Sequence, residues 1–235
     1  AAVVLCPSVH VEEFLRPVEG RGARVVAVAD THLHADHVSG ARELAARTGA
    51  ALLLSGSEPY EFGGFVPVGD GFELTLADGL SLVALHTPGH TLGSVTFRLG
   101  DAALFTGDTL FVEGIGRPDL REDAAGQARQ LYRTYTQRLT KLPPEILVLP
   151  AHFGEGVPYR WGEPIAAPLG AVLEALPFLR LPEEEFVRQV LASLPEQPPN
   201  FRTIQRINRT GLLPGLAELA ELEAGPNRCG VRPGF

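Results

Sequence analysis

An α/β fold is predicted, and three features of the sequence predict it. Val25 to Ala29 and Ala51 to Leu54 are continuous apolar runs of strand length, as expected of strands buried on both faces. A helical pattern over Ser39 to Arg47 separates them, which gives strand, loop, helix, strand and lets helices cover a sheet face. Polar loops carrying histidine then follow strand after strand, where α/β folds put their ligand-binding groups.

The elements follow in order. Val3 to Leu5 reads as a short buried strand. Pro7 and Ser8 offer a break and a cap for an amphipathic helix over Val9 to Glu19, with His10 on its surface. Val25 to Ala29 delivers Asp30 and the loop Thr31 to Gly40; the helix over Ser39 to Arg47 ends at Gly49. Glu73 to Leu76 and Ser81 to Leu85 form a hairpin about Asp78-Gly79. A second hairpin, Ser94 to Leu99 and Ala102 to Phe105, is bracketed by Thr87-Pro88-Gly89-His90 and Thr106-Gly107-Asp108. Those two loops share a sheet end, which makes His90 and Asp108 neighbours. Glu122 to Leu142 is a long helix whose stripe of Leu131, Tyr135, Leu139 and Leu142 faces a core and has no chemistry assigned. After Pro143-Pro144, Ile146 to Leu149 is another strand, and Pro150-Ala151-His152 leaves its end. The remainder reads as short helices between prolines, Leu169 to Leu176, Glu183 to Ser193, Arg202 to Arg209 and Leu216 to Glu221. The expected organisation is an α/β domain over residues 1–165, with a helical extension over 166–235 packed on the same domain.

Composition narrows the function. A net charge of −8 over 235 residues, with no dense Lys/Arg run, disfavours nucleic acid. No apolar stretch is long enough to span a bilayer, and two cysteines at opposite ends, Cys6 and Cys229, give no disulfide framework. A cytoplasmic protein without a membrane or nucleic-acid partner is expected. The chain opens on a strand-like AAVVL and contains no methionine, so further residues are expected upstream.

Thr31 to Gly40, THLHADHVSG, is the densest chemical signal. His32, His34, Asp36 and His37 fall within six residues, and alternation puts the first three on one side of an extended loop. A lone histidine is usually a packed or surface residue. Four donors between a strand and a helix point to a metal, since histidine and carboxylate are the usual ligands of zinc and non-haem iron. Five of the seven histidines, namely His32, His34, His37, His90 and His152, fall in loops after strands, together with Asp36 and Asp108. That set suffices for two ions sharing Asp108, or for one ion with polar support. His86, four residues before His90 with Pro88 between, reads as a hydrogen-bonding support.

THLHADH, TPGHTLGS, FTGDTLF and PAH, in that order, resemble the metallo-β-lactamase superfamily. The resemblance implies its four-layered αβ/βα sandwich, with the metal site at one edge between two sheets. Two branches compete. Glyoxalase II-like hydrolases imply two Zn(II), one on His32, His34, His90 and Asp108 and the other on Asp36, His37, His152 and the bridging Asp108, activating water against a thioester. Persulfide dioxygenases imply one Fe(II) per chain on His32, His90 and Asp108, with open positions for O2 and a sulfur substrate. In that branch Asp36, His37, His34 and His152 orient ligands and move protons, with Asp36 and His37 as the catalytic pair.

Other segments favour the dioxygenases. PAH stands where glyoxalase II usually reads Gly-His-Glu-Tyr, and Gly116-Arg117-Pro118-Asp119 is similar to a stretch of the bacterial, often rhodanese-linked dioxygenases. Pro198-Pro199-Asn200-Phe201, Ile204, Asn208 and Arg228-Cys229-Gly230 resemble the same branch, and the basic, tyrosine-bearing glutathione clamp of glyoxalase II is not recognisable. After His152 the dioxygenases commonly carry Asp-Tyr-His-Gly, whereas this chain has Phe153-Gly154-Glu155-Gly156, a departure that bears on the substrate. Arg117 either receives a substrate carboxylate or pairs with Asp119, the second being favoured. Cys229 reads as a plain cysteine ahead of a sulfane-sulfur acceptor. The expected activity is oxidation of a low-molecular-weight persulfide, such as glutathione persulfide, to sulfite with O2. A rhodanese-type sulfurtransferase and a second copy of the chain are the candidate protein partners. The rivals are the zinc thioester hydrolase and a non-catalytic metal-binding module for sulfur transfer.

Overall fold

A computed structural model describes residues 1–154, 156–224 and 229–233, apart from the side chain of Leu216. Glu155 and Arg228, which belong to two of the motifs above, lie outside the described residues. The chain divides into two compact units, Ala1–Val68 with Pro198–Asn227 and Gly69–Gln197 with Arg228–Phe235.

The first unit carries a four-stranded parallel sheet. Its elements are β1 (Ala2–Leu5), α1 (Glu12–Glu19), β2 (Val25–Ala29), α2 (Ala41–Thr48), β3 (Ala51–Ser55) and β4 (Val66–Val68). The strands lie in chain order, each parallel to the next. Val4, Val28, Leu52 and Leu54 meet Leu15 of α1 and Leu44 of α2 in one buried cluster, so the apolar runs are strands covered by helices. Both helices start later than their sequences suggest, for one reason. Ser8 bridges Ser39, and the Gly40 N–H donates to the Pro7 carbonyl at 2.8 Å, so the backbone on both sides is already held. His10 therefore precedes α1 as an exposed residue rather than riding on it. β4 was not anticipated, because Pro67 sits in its middle; a proline is tolerated at a sheet edge, which is where β4 lies.

The second unit carries a six-stranded sheet. Its strands are β5 (Glu73–Ala77), β6 (Leu80–His86), β7 (Val95–Leu99), β8 (Ala103–Gly107), β10 (Leu147–Pro150) and β11 (Ala167–Pro168), in the order β11-β10-β8-β7-β6-β5. The two hairpins are as expected, with Gly79 at φ +73° in the first turn. β9 (Ile115–Gly116) follows the second hairpin, and α3 (Ala124–Gln137) follows β9. α3 is shorter than its stripe implied. Arg138 leaves helical geometry, and Leu139–Lys141 continue as a separate 3-10 turn that still buries Leu139. Leu131, Tyr135 and Leu139 join Leu104, Val148 and Phe186 in the unit's core, together with α4 (Leu169–Ala175) and α5 (Glu183–Ala192).

The two remaining helices, α6 (Phe201–Thr210) and α7 (Leu216–Leu222), belong to the first unit, and β12 (Gly230–Val231) pairs with β9 in the second. Each unit thus takes part of the C-terminal extension. Ile204 and Ile207 of α6 and Leu219 of α7 close over Val38, behind the histidine loop. No helix among the described residues is long and apolar enough to cross a membrane.

Candidate metal centre

In the first unit, β2 ends at Ala29 and the loop Asp30 to Ser39 carries the clustered donors. The His32 and His34 ring centroids lie 4.2 Å apart, and those of His34 and His37 lie 4.1 Å apart. Asp36 Oδ1 lies 3.3 Å from His37 Nδ1 and 3.7 Å from His34 Nδ1. His32 Nδ1 pairs with the Thr31 hydroxyl at 3.0 Å, which directs its Nε2 elsewhere. Among the described residues, neither ring nitrogen of His34 nor Nε2 of His37 has a hydrogen-bond partner, although all three atoms are buried. Burial opposes a proton on His34, but Cys6, Asp36 and Asp30 outweigh it and raise the pKa well above the usual imidazole value. Two imidazoles about a carboxylate, with a third ring against one of them and buried nitrogens left over, suit a cation.

Asn208 of α6 holds this loop. Its side-chain oxygen accepts the Ser39 N–H at 2.9 Å, and its amide nitrogen donates to the carbonyls of His34 at 3.0 Å and His37 at 2.9 Å. Ser39 in turn donates its hydroxyl to Asp30 Oδ2 at 2.7 Å. Asn208→Ala should leave one donor and two acceptors unmatched, at a cost of about 2 to 3 kcal/mol. Denaturant unfolding should show that loss, and metal retained after dialysis should fall with it. Unchanged values for both would remove Asn208 from the support of the loop.

In the second unit, β8 and β10 are adjacent and parallel, so Asp108 and His152 leave the same sheet end from neighbouring strands. His152 Nδ1 donates to Asp108 Oδ1 at 2.7 Å. His90 comes from the loop before β7, and its Nε2 lies 3.5 Å from Asp108 Oδ2. His90 Nδ1 donates to the Arg117 carbonyl at 2.9 Å, so a neutral imidazole carries its lone pair on Nε2, facing the carboxylate oxygen. Two lone pairs turned on each other need a proton or a cation between them, and the set fits a metal.

The loops are held from behind. Tyr135 donates its hydroxyl to the Thr109 carbonyl, and Thr134 donates to the Pro88 carbonyl at 2.8 Å, so α3 braces both loops as well as filling the core. Arg117 is fully buried. Nε and Nη2 form a two-pronged pair with Asp119 at 2.7 and 2.8 Å, while the carbonyls of Pro195 and Glu196 accept from Nη2 and Nη1. This is the loop-pinning arrangement and not that of an open carboxylate receptor. The same loop supplies the carbonyl that orients His90. His86 is indeed a hydrogen-bonding residue, with Nε2 2.8 Å from the Leu92 carbonyl, and Cys229 is buried.

Imidazoles and carboxylates gathered after the strands of an α/β chain define a metal-binding protein. The pattern of the Metallo-beta-lactamase superfamily matches residues 8–152, and the chain belongs to that superfamily, as its motifs suggested. The hydroxyacylglutathione hydrolase of Methylococcus capsulatus is 42% identical over 140 residues, covering 59% of this chain and 52% of that one. The human mitochondrial persulfide dioxygenase ETHE1 is 35% identical over 143 residues, covering 56% of this chain and 50% of that one. The chain spans about half the length of these curated relatives. Among solved structures, ETHE1 from Myxococcus xanthus aligns with a TM-score of 0.78 at 30% identity, covering 89% of this chain and 88% of that one. Its relatives thus include both metallo-hydrolases and oxidoreductases.

Proposed function

We propose that the chain is a cytoplasmic, iron-dependent persulfide dioxygenase that converts a low-molecular-weight persulfide, O2 and water to the thiol and sulfite. One Fe(II) per chain would be held by His32, His90 and Asp108. Iron on a two-histidine, one-carboxylate face supplies open coordination positions for O2 and sulfur. The observation that carries the reading is the contact between His152 and Asp108. Asp108 Oδ1 accepts the His152 Nδ1–H at 2.7 Å, so His152 stands as a hydrogen-bonding partner of a proposed ligand, the place that the single-iron scheme gives it. The near full-length likeness to ETHE1 from Myxococcus xanthus supports it as well. Asp36 and His37, 3.3 Å apart, would then move protons at the site, with His34 as their neighbour. Residues 1–165 would carry every proposed ligand, and 166–235 would supply supports such as Asn208.

A binuclear zinc thioester hydrolase is the second reading. It is favoured by the 42% identity to a hydroxyacylglutathione hydrolase and by the grouping of His34, Asp36 and His37. His152→Ala separates the two. The dioxygenase should keep about one iron per chain and lose about 10- to 100-fold in activity, the usual effect of removing an outer partner of a ligand. The hydrolase should lose a ligand and fall towards half its metal content. Oxygen uptake on adding glutathione persulfide, beside thioester hydrolysis under nitrogen, completes the test. Two zinc ions per chain with anaerobic hydrolysis and no oxygen uptake would overturn the dioxygenase.

A further inference from the structure

Cys6, Asp30 and His34 bring a sulfur, a carboxylate oxygen and an imidazole nitrogen within 4.8 Å of one another in the first unit. Asp30 and His34 are buried, and Asp30 Oδ1 lies 3.8 Å from His34 Nε2. Among the described residues, neither of these two atoms has a hydrogen-bond partner. The two atoms stand too far apart for a hydrogen bond, and a cation between them would satisfy both. Cys6 stands at the end of β1 with φ +50°, a backbone angle rare for a side chain other than asparagine, aspartate or glycine. Its sulfur accepts the Thr31 N–H at 3.3 Å and lies 3.2 Å from the Thr31 hydroxyl, which also contacts His32 Nδ1.

We propose that Cys6, Asp30 and His34 form a second cation site, one that takes zinc or another thiophilic divalent ion. A tetrahedral ion bound at about 2.0 to 2.1 Å holds an oxygen and a nitrogen about 3.3 to 3.4 Å apart, so these two atoms, at 3.8 Å, would close by a few tenths of an ångström. The sulfur lies within 4.8 Å of both and would have to draw closer for one ion to take all three. One sulfur, one nitrogen and one oxygen donor suit zinc better than magnesium or calcium, which favour oxygen alone. Asp36 Oδ1 lies 3.7 Å from the other nitrogen of His34, so a second carboxylate stands beside the imidazole. A cavity lined by Asp30, His34, Arg42, Glu43, Tyr60 and Asn208 borders two of the three ligands. The site goes beyond the activity proposed above, whose iron takes His32, His90 and Asp108 and no sulfur.

Cobalt tests the proposal, because only a sulfur ligand gives Co(II) a strong thiolate charge-transfer band in the near ultraviolet. The full chain, purified without oxygen and loaded with iron, should develop that band on addition of Co(II) and saturate at one further equivalent. Cys6→Ser should abolish the band, Cys229→Ser should keep it, and Asp30→Asn should move it to at least about tenfold higher cobalt. Should Cys6→Ser fail to fold, Asp30→Asn, which leaves the thiol in place, reads the same site. Asp108→Ala should keep the band while emptying the iron position, so failure of the dioxygenase reading and failure of this site are distinguishable. No band, or a band lost in Cys229→Ser alone, would overturn the proposal and leave Cys6 and Asp30 as braces for Thr31 and His34.

Discussion

Asp108→Ala is expected to leave a folded protein that holds almost no iron and turns over no substrate. Asp108 is the one carboxylate that both the single-iron and the two-zinc schemes require. Its two oxygens face two different histidines, His90 at 3.5 Å and His152 at 2.7 Å. Loss of activity should therefore run well beyond the about 10- to 100-fold expected for His152→Ala, where only an outer partner is removed. Stability should respond differently. Compared in the metal-free state, the variant trades a buried carboxylate and its hydrogen bond for a methyl group, and its unfolding free energy should stay within about 2 kcal/mol of the parent. With iron present the gap should widen, because only the parent gains its binding free energy in the folded state. Full iron content in Asp108→Ala, measured by elemental analysis, would remove this residue from the ligand set.

Much of this arrangement is legible along the sequence because its signals are local. Val25 to Ala29 and Ala51 to Leu54 announce strands buried on both faces, and Asp78-Gly79 announces a turn. The donors are local too, since THLHADH concentrates them and PAH, TPGH and FTGD each follow or precede a strand. What escapes is whatever depends on a distant partner. Asn208 reads as one polar residue on an amphipathic helix, yet it holds the His34 carbonyl 174 positions away in the chain. Tyr135 looks like part of a core stripe, and only the fold shows that its hydroxyl and that of Thr134 brace the loops of Asp108 and His90. Arg117 is half legible. Its pairing with Asp119, two residues on, follows from the sequence, but its contacts with Pro195 and Glu196 do not. Cys6 and Asp30 carry no recognisable spacing, and they meet His34 only because β1 and β2 lie side by side. The short strands escape for another reason. β9 and β12 are two residues each, too brief for any alternation to register.

Gly116→Ala is expected to damage the centre without touching a ligand. A Cβ at this position would lie 1.8 Å from the Asp108 carbonyl oxygen and 3.0 Å from His90 Nδ1. The first of these is backbone and cannot rotate aside, so the strand carrying Gly116 and the loop carrying Asp108 must separate. Overpacking a rigid site costs about 1 to 3 kcal/mol, and here the displaced atoms belong to the segments that carry Asp108 and His90. His90 is doubly exposed to the change, because its Nδ1–H is held by the carbonyl of Arg117, the next residue in the chain. The expected result is a destabilised protein with weak metal retention and a large loss of turnover, although His32, His90 and Asp108 are all present. Gly79→Ala supplies the comparison. Gly79 has φ +73° and nothing within 4 Å of an added Cβ, so alanine there costs about 1 to 2 kcal/mol of backbone strain and nothing else. Its metal content should equal the parent's. If Gly116→Ala and Gly79→Ala lose similar stability and both keep their metal, the close approach of Gly116 to Asp108 and His90 has no part in shaping the centre. If only Gly116→Ala loses metal, the loop spacing set by a missing side chain is as much a condition of metal binding as the ligands themselves.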